Sequence, residues 1–529
     1  MISSTSKNKN VNKNGNKNGN NKNINKSGNN KNVNKNGNNR NGKSLPNFSI
    51  DLGNRKILQI GCGGVGSSMP YLYERHFQYK AGNIIIMDKD KARLEKLKTK
   101  FPRINFVHQE FTKKNYRQII TQNLGKGDIF ADLAYYIGTN DCLELCHEKG
   151  IHFTNAAIEQ WMDSNDCNQG TLECETLYRH QHHVREMARK WGNKGATAVV
   201  GNGANPGWVS LAAKIGIKDW VKYLLKKNKT DARVIKAAKA IEANQFNEAA
   251  RQLNIQVIHI SERDTQISKL PKKVGEFLCT WSCVGLIEEA ALPAEMGWGT
   301  HENMKEYVKH FKKGPGNEVY MDTIAMNTLV RSYVPGSDVL GMVIPHEEAN
   351  SLSYFLTVTK GGKAVYRPTV HYAYQLPDVA IASLVEYQAS GMPDMITNER
   401  VIKDEIESGA DTLGAFLMSP DFGKWWCGSK LTIEESRRLI PHQNATIVQV
   451  SPSILAGMIY MIQYPDQAPV FPEDVPEDYI MNNFIKPYLG TWISMPVKWE
   501  PQGKTMLPKY KKEKNLVFQR FLVSPPPTK

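Results

Sequence analysis

The first fifty residues contain no Asp or Glu, and up to about residue 44 there are almost no apolar side chains. A tract of Asn, Lys and Gly cannot bury enough apolar surface to offset its chain entropy, so residues 1–44 are expected to be a disordered tail. It is either a drifted segment without a role or an electrostatic tether to an anionic surface. Its nine Lys and Arg40 supply ten of the net +16 charges, and the remainder is only mildly basic. That gives little reason to expect a nucleic-acid partner. The start, MISSTSKNKN, lacks the apolar stretch of a signal peptide. The richest apolar run, ILAGMIYMI at 454–462, is about half the ~18–20 residues that a membrane span needs. No CxxC occurs among the eight cysteines, which read as reduced, buried thiols. These absences point to a cytoplasmic protein with neither membrane nor nucleic acid as partner.

What is present is an alternation. KILQIG (56–61) runs into a glycine turn and a helical YLYERHF. NIIIMD (83–88), INFVHQ, DIFADLA (128–134), IHFTNAA and ATAVVGNG (196–203) follow as strands, separated by helical patterns. Strands alternating with helices indicate βαβ units and a parallel sheet. After Pro206 a helix-rich stretch (about 208–252) precedes the strand-like NIQVIHIS, GEFLCTWSCV, VLGMVIP and YFLTVT, and helical patterns return near 378–418 and 449–462. The expected architecture is α/β. A Rossmann-type domain spans 45–205, and a mixed α+β substrate domain with an antiparallel sheet spans 206–470. The segment 471–529 reads as irregular.

The turn GCGGVG fits GxGxxG with Gly61, Gly63 and Gly66, enclosing Gly64 and Val65, and Asp88 ends the next strand. Glycines let a backbone approach a pyrophosphate, the following helix faces its charge, and the acid takes ribose hydroxyls. An acid there favours NAD over NADP, although Lys89 and Lys91 stand close by. Methyltransferases and aminopropyltransferases also begin with IGCG, but usually carry an acid two residues before the first glycine, where this chain has Gln59. A purely structural βα turn is the third reading.

Several later stretches decide among these: AAIEQW (156–161), NGANPGWVS (202–210), HISERDTQ (259–266), TWSCVGLIEEAALPAEMGWGTHE (280–302), IPHEEANSLSYFLTV (344–358), YRPTVHYAY (366–374) and IESGADTLGAF (406–416). Together they resemble the bacterial-type homospermidine synthases, a family related in fold to saccharopine dehydrogenase. The resemblance implies NAD-dependent joining of two putrescines to homospermidine and ammonia in a homodimer, with hydride taken from one carbon and later returned, so that NAD is recycled. Other diamines or polyamines are conceivable substrates. It also implies that Asn205 and Glu262 hold the inner amine with Glu348 nearby. Glu159 and Glu289 would lie on the outer-amine side, and His346 and Asp411 would flank the reacting region.

The side-chain chemistry suits that proposal. Putrescine is a dication, since alkyl amines titrate near ~10. One amine must lose a proton before hydride can leave its carbon, and the other wants a carboxylate. Glu159, Glu262, Glu289, Glu348 and Asp411 supply acids, Asn205 a polar anchor, His346 a base, and Trp281 a face for an ammonium or iminium. A saccharopine-type or carboxynorspermidine dehydrogenase would place Arg or Lys where this chain has Glu. A catalytically inactive relative acting as a binding protein is the remaining alternative.

No metal site is expected. HEEAN (346–350) lacks the second histidine of a zinc-protease motif, and no acid or cysteine completes a shell around HQHH (180–183). Cys142 and Cys146 read as core thiols, and Trp425 and Trp426 as packing. GWGTHE (297–302) reads as a border of the nicotinamide, with His301 or Glu302 in support.

Overall fold

The computed structural model describes residues 45–523 apart from 46, 163–172, 174–175, 228, 305–307, 312–313, 394–395, 397 and 502–514. The expected tail, residues 1–44, lies outside the described residues, as do Cys167 and Cys174. Six further cysteines are buried free thiols.

Strands β1 (Ile57–Ile60), β2 (Ile84–Asp88), β3 (Asn105–His108), β4 (Ile129–Asp132), β5 (His152–Asn155) and β6 (Ala198–Val199) form a parallel sheet. Their spatial order is 3-2-1-4-5-6, and Pro469–Val470 adds a seventh strand beside β6. Every residue of β1, β4 and β5 is buried. Helices covering both faces leave no solvent side, which is why these strands read as unbroken runs. Helices α1 (Met69–His76), α2 (Lys91–Lys98), α3 (Tyr116–Asn123), α4 (Thr139–Lys149) and α5 (Leu177–Lys190) supply the alternation read from the sequence. The strand order reverses between β1 and β4, and doubly wound sheets take ligands outside the carboxyl ends at that point.

After helix α6 (Trp208–Lys227) the chain builds a ten-stranded sheet. Its strands are β7 (Val257–Asp264), β8 (Pro293–Gly297), β9 (Val308–His310), β10 (Glu318–Ile324), β11 (Leu329–Val334), β12 (Ser337–Met342), β13 (Thr369–Gln375), β14 (Ala410–Ser419), β15 (Gly423–Thr432) and β16 (Thr491–Val497). The order is 9-10-8-13-7-14-15-16, with the hairpin β11–β12 joined to β13. The sheet is not antiparallel throughout, because β13 runs parallel to β7.

Three other expectations are corrected. The helical pattern ends at Ala389, and 410–419 is strand β14, buried at every position. A strand covered on both faces lacks the period-two alternation that would have marked it. GEFLCTWSCV is a strand only to Cys279, since helix α7 (Cys283–Ala291) begins within it. Within the terminal segment, Thr491–Val497 is regular, an edge strand paired with β15.

Two helices orient the site. Helix α8 (Glu347–Phe355) starts just after His346. Helix α9 (Ala445–Gln463) contains the apolar run noted above and is long and apolar enough to cross a membrane, but 89% of its most apolar 18-residue stretch is buried inside the protein, as in a core helix. Its N-terminal turn reaches both sheets. Thr446 donates to Asp264 of β7 (3.1 Å), and a β-carbon at Gly64 would meet Ile447 at 3.2 Å.

Candidate active site

The turn after β1 is built by close approach. Gly61 has φ +96°, and a β-carbon there would strike Leu133 O at 2.4 Å; one at Gly66 would strike Gly61 O at 2.2 Å. Gln59, where the rival cofactor class has its acid, is fully buried and braces the loop. Its Nε2 donates to Gly61 O (2.8 Å) and Gly66 O (3.0 Å), and Tyr73 donates to its Oε1 (2.9 Å). Over Gly63 there is open space, bounded only by Arg93 Nη1 at 3.9 Å from a notional β-carbon. The N–H groups of Gly63, Gly64 and Val65 make no hydrogen bond among the described residues. Unpaired amides around a void suit a phosphate. Asp88 closes the next strand and accepts from Cys62 N (2.5 Å) and Asp90 N (2.7 Å), which fixes its carboxylate beside the turn. The turn and the acid therefore fit the dinucleotide assigned from sequence.

This turn opens on a cleft of about 1260 Å³. Gly61, Gly63, Gly64, Val65 and Asp88 line one end, while Gly66 is packed inside the turn. Glu159, Asn205, Glu262, Trp281, Glu289 and His346 line the same cleft. Glu348 and Asp411 do not line it but touch residues that do.

The strand register explains the acidic wall. Tyr374 of β13 lies opposite Glu262 of β7, and Asp411 of β14 lies opposite Asp264. Tyr372, Tyr374, Glu262, Asp264 and Asp411 thereby share one sheet face. Glu262 Oε2 accepts from Asn205 Nδ2 (3.0 Å) and Tyr372 OH (2.5 Å). Burial raises the Glu262 carboxyl to about 7, against the hydrogen bonds from Tyr372 and Asp411. The Asp411 carboxyl is raised well above its ordinary value, by burial first and then by Glu262 and Asp264. Two carboxyls in hydrogen-bonding contact must share a proton. Asp264 behind them accepts from Gln266, Thr280 and Thr446.

His346 stands against Tyr372, with ring centroids 4.5 Å apart. Its Nδ1 is 3.0 Å from Glu348 Oε2, and its Nε2 is 3.6 Å from Glu289 Oε2. Burial opposes charge on the ring, but Glu348 and Glu289 outweigh it, and the imidazole is raised well above its ordinary 6.5. The expected base is thus already protonated in the free site. Neighbouring Glu347 faces away, accepting from Ile158 N, and burial lifts it to about 8.

Glu159 is half-buried and accepts from Tyr136 N (2.9 Å); burial raises its carboxyl well above the usual range, with Glu288, Asp132 and Glu289 adding. Trp281 lies in the loop before α7, whose N-terminus is capped by Ser282 accepting from Gly285 N (3.2 Å). The sequence reading missed Tyr135, Tyr136, Tyr372 and Tyr374, all of which line the cleft. The first two follow β4 at the switch point, and the second two are two residues apart on one strand face. Both placements were signals.

GWGTHE does not border the cofactor cleft. His301 Nε2 contacts Leu516 O (3.2 Å), and Glu302 accepts from Thr369 Oγ1 (2.5 Å) and Phe518 N (3.1 Å), which pins the C-terminal segment. Cys142 and Cys146 are core residues, and Trp425 and Trp426 are buried. Among the described residues no group of three His, Cys, Asp or Glu could hold a metal.

A parallel sheet of this order, a glycine turn with unpaired amides and an acid at the end of β2 define a dinucleotide-dependent enzyme whose cleft also carries an acidic wall. Residues 57–199 match the saccharopine dehydrogenase NADP binding domain, and 203–493 match the saccharopine dehydrogenase C-terminal domain. Homospermidine synthases of Mesorhizobium japonicum and Blastochloris viridis are each 34% identical, over 84% of this chain and 91% and 92% of theirs. The crystal structure of homospermidine synthase from Legionella pneumophila in complex with NAD superposes with a TM-score of 0.79 at 32% identity, covering 90% of this chain and 99% of that one. The chain belongs to the homospermidine synthase family.

Proposed function

We infer that this protein is an NAD-dependent homospermidine synthase, condensing two putrescines with loss of ammonia. The observation that carries the reading is the continuous contact line Asn205–Glu262–Tyr372–His346–Glu348, with Glu289 on the far side of the imidazole, ending one cleft that begins at the glycine turn. Among the described residues no Arg or Lys is a hydrogen-bond or ion-pair partner of these side chains. A site for a carboxylated substrate would need one; a dication needs the reverse.

NAD, when bound, accepts a hydride from the carbon bearing one amine and gives it back at the end. The residues do the rest. Glu262, paired with Asn205 and Asp411, holds the inner ammonium and accepts its charge. Glu348 keeps His346 oriented and protonated. The neutral amine of the second diamine adds to the iminium carbon, forming the new C–N bond; the ring then donates its proton to the first nitrogen, which leaves as ammonia, and takes one back from the newly bound nitrogen. Glu289 and Glu159 hold the outer ammonium of that second diamine. Trp281 faces the iminium carbon chain and stabilises its charge by cation–π attraction, worth about 0.5–2 kcal/mol. A cytoplasmic homodimer is part of the same proposal, supported by the family resemblance and measurable by light scattering.

The test is product analysis. Purified protein with putrescine and substoichiometric NAD should yield homospermidine in molar excess over NAD. Reduced dinucleotide accumulating in step with product would instead establish a dehydrogenase, and no product would leave a binding protein.

A further inference from the structure

Lys403 reaches the glycine turn from the opposite wall of the cleft. It lies between the short strands Glu399–Val401 and Ile406–Ser408, more than three hundred residues along the chain from the turn. Its Nζ is 3.3 Å from Ser67 Oγ, the first side chain past Gly66, and Gln443 Nε2 donates to the same oxygen over 3.2 Å. Ser67 in turn donates to Gly64 O (2.9 Å). Lys403 lines the cleft together with Gly61–Val65 and Arg93. It has no ion-pair partner among the described residues: neighbouring Asp404 is engaged with His442 at 3.2 Å, and Arg93 is paired with Asp90 at 3.0 Å. Burial lowers the ammonium to about 8, Cys62 and Asp404 raising it and Arg93 and Lys96 lowering it further. A partly desolvated cation that lines the same cleft as a loop of unpaired N–H groups, and touches the residue that ends that loop, lacks only an anion.

We propose that Lys403 is a ligand of the dinucleotide's diphosphate, closing on it from the wall opposite the glycine amides and Arg93. It is the one cation brought to the turn from outside the parallel-sheet segment among the residues described above. The cofactor would then also be held by a segment that belongs to neither large sheet. This rests on the NAD reading above and adds a residue outside the glycine fingerprint.

The experiment titrates the full chain and the variants Lys403→Gln and Lys403→Arg with NAD, ADP-ribose and adenosine. Adenosine carries no diphosphate, and ADP-ribose carries it without nicotinamide. A charge-assisted contact predicts that Lys403→Gln raises Kd for NAD and ADP-ribose about tenfold or more. Adenosine binding and the thermal midpoint should be unchanged, and Lys403→Arg should recover most of the loss. Equal NAD affinity in Lys403→Gln and wild type would overturn the assignment alone, as would an equal loss for adenosine. Absence of NAD binding to the wild type would overturn both the assignment and the functional reading.

Discussion

Glu348 Oε2 sits 3.0 Å from His346 Nδ1, and Glu289 approaches the other ring nitrogen at 3.6 Å. The two carboxylates hold the ring as an imidazolium through neutral pH, and in the proposed reaction it acts first as an acid. Removing one carboxylate weakens that hold. In Glu348→Gln the alkaline limb of the kcat/KM profile should move toward neutrality relative to wild type, because the folded pKa of the ring falls toward its ordinary value. His346→Gln should cost about a hundredfold or more in kcat, the usual scale of a lost proton-transfer group. Superimposable profiles for Glu348→Gln and wild type would remove His346 from the proton chemistry.

Trp281 lines the cleft shared by the glycine turn and the acidic wall, and its carbonyl oxygen is 4.0 Å from where a β-carbon of Gly64 would sit, so cofactor and substrate are both candidates for its ring. If it serves a charged substrate intermediate, Trp281→Ala should lower kcat/KM roughly two- to thirtyfold, the cation–π range expressed as a rate. NAD affinity should stay near wild type, and Trp281→Phe should retain part of the rate. A parallel collapse of NAD binding would place the ring in the cofactor pocket instead.

The glycines of the turn separate fold from ligand. A β-carbon at Gly66 falls 2.2 Å from the Gly61 carbonyl, a backbone atom that cannot step aside, whereas one at Gly63 finds nothing nearer than 3.9 Å. Gly66→Ala should lower the melting temperature and NAD affinity together. Gly63→Ala should melt as wild type and yet bind NAD about tenfold or more weakly, because the added methyl occupies the phosphate's space. Calorimetry of both variants, with and without NAD, checks this, and normal NAD affinity in Gly63→Ala would show that the diphosphate lies elsewhere.

The parallel sheet could be read from the sequence because its signal is local: apolar runs of strand length, each followed by a helical pattern, with glycine and Asp88 at the switch point. The acidic wall could be read only through long characteristic strings, since its members come from strands and helices far apart in the chain. What escaped has physical causes. Strand β14 is buried on both faces and shows no alternation, so Asp411 was placed beside a helical pattern instead of opposite Asp264. The proton on His346 depends on two carboxylates arriving from different helices, which no spacing announces. Lys403 is a lone cation in a loop, and only its contact with Ser67 distinguishes it.

The acidic core should also shape stability. Burial raises Glu262 and Glu473 to about 7, and Asp132, Glu295 and Glu347 to about 8. Each folded carboxyl holds a proton that the unfolded chain has released above its ordinary value of 3.8 or 4.5. The folded state thus binds more protons, and stability falls as pH rises through 7 and 8. His76, His180, His301 and His371 are depressed to about 4 by burial, but both states are neutral there above 6.5, so these rings are silent in that window. Lys403, lowered to about 8, acts in the opposite sense, one group against five. The unliganded protein should therefore lose thermal stability between pH 6.5 and 8.5. Putrescine supplies the missing positive charge only where Glu262 is ionised. At a hundred times its Kd it should stabilise by about 2.7 kcal/mol, and at fixed concentration its melting-temperature shift should be larger at pH 8.5 than at 6.5. In Glu262→Gln that pH dependence should flatten. A diamine shift of equal size at both pH values in the wild type would show that Glu262 does not carry the ammonium.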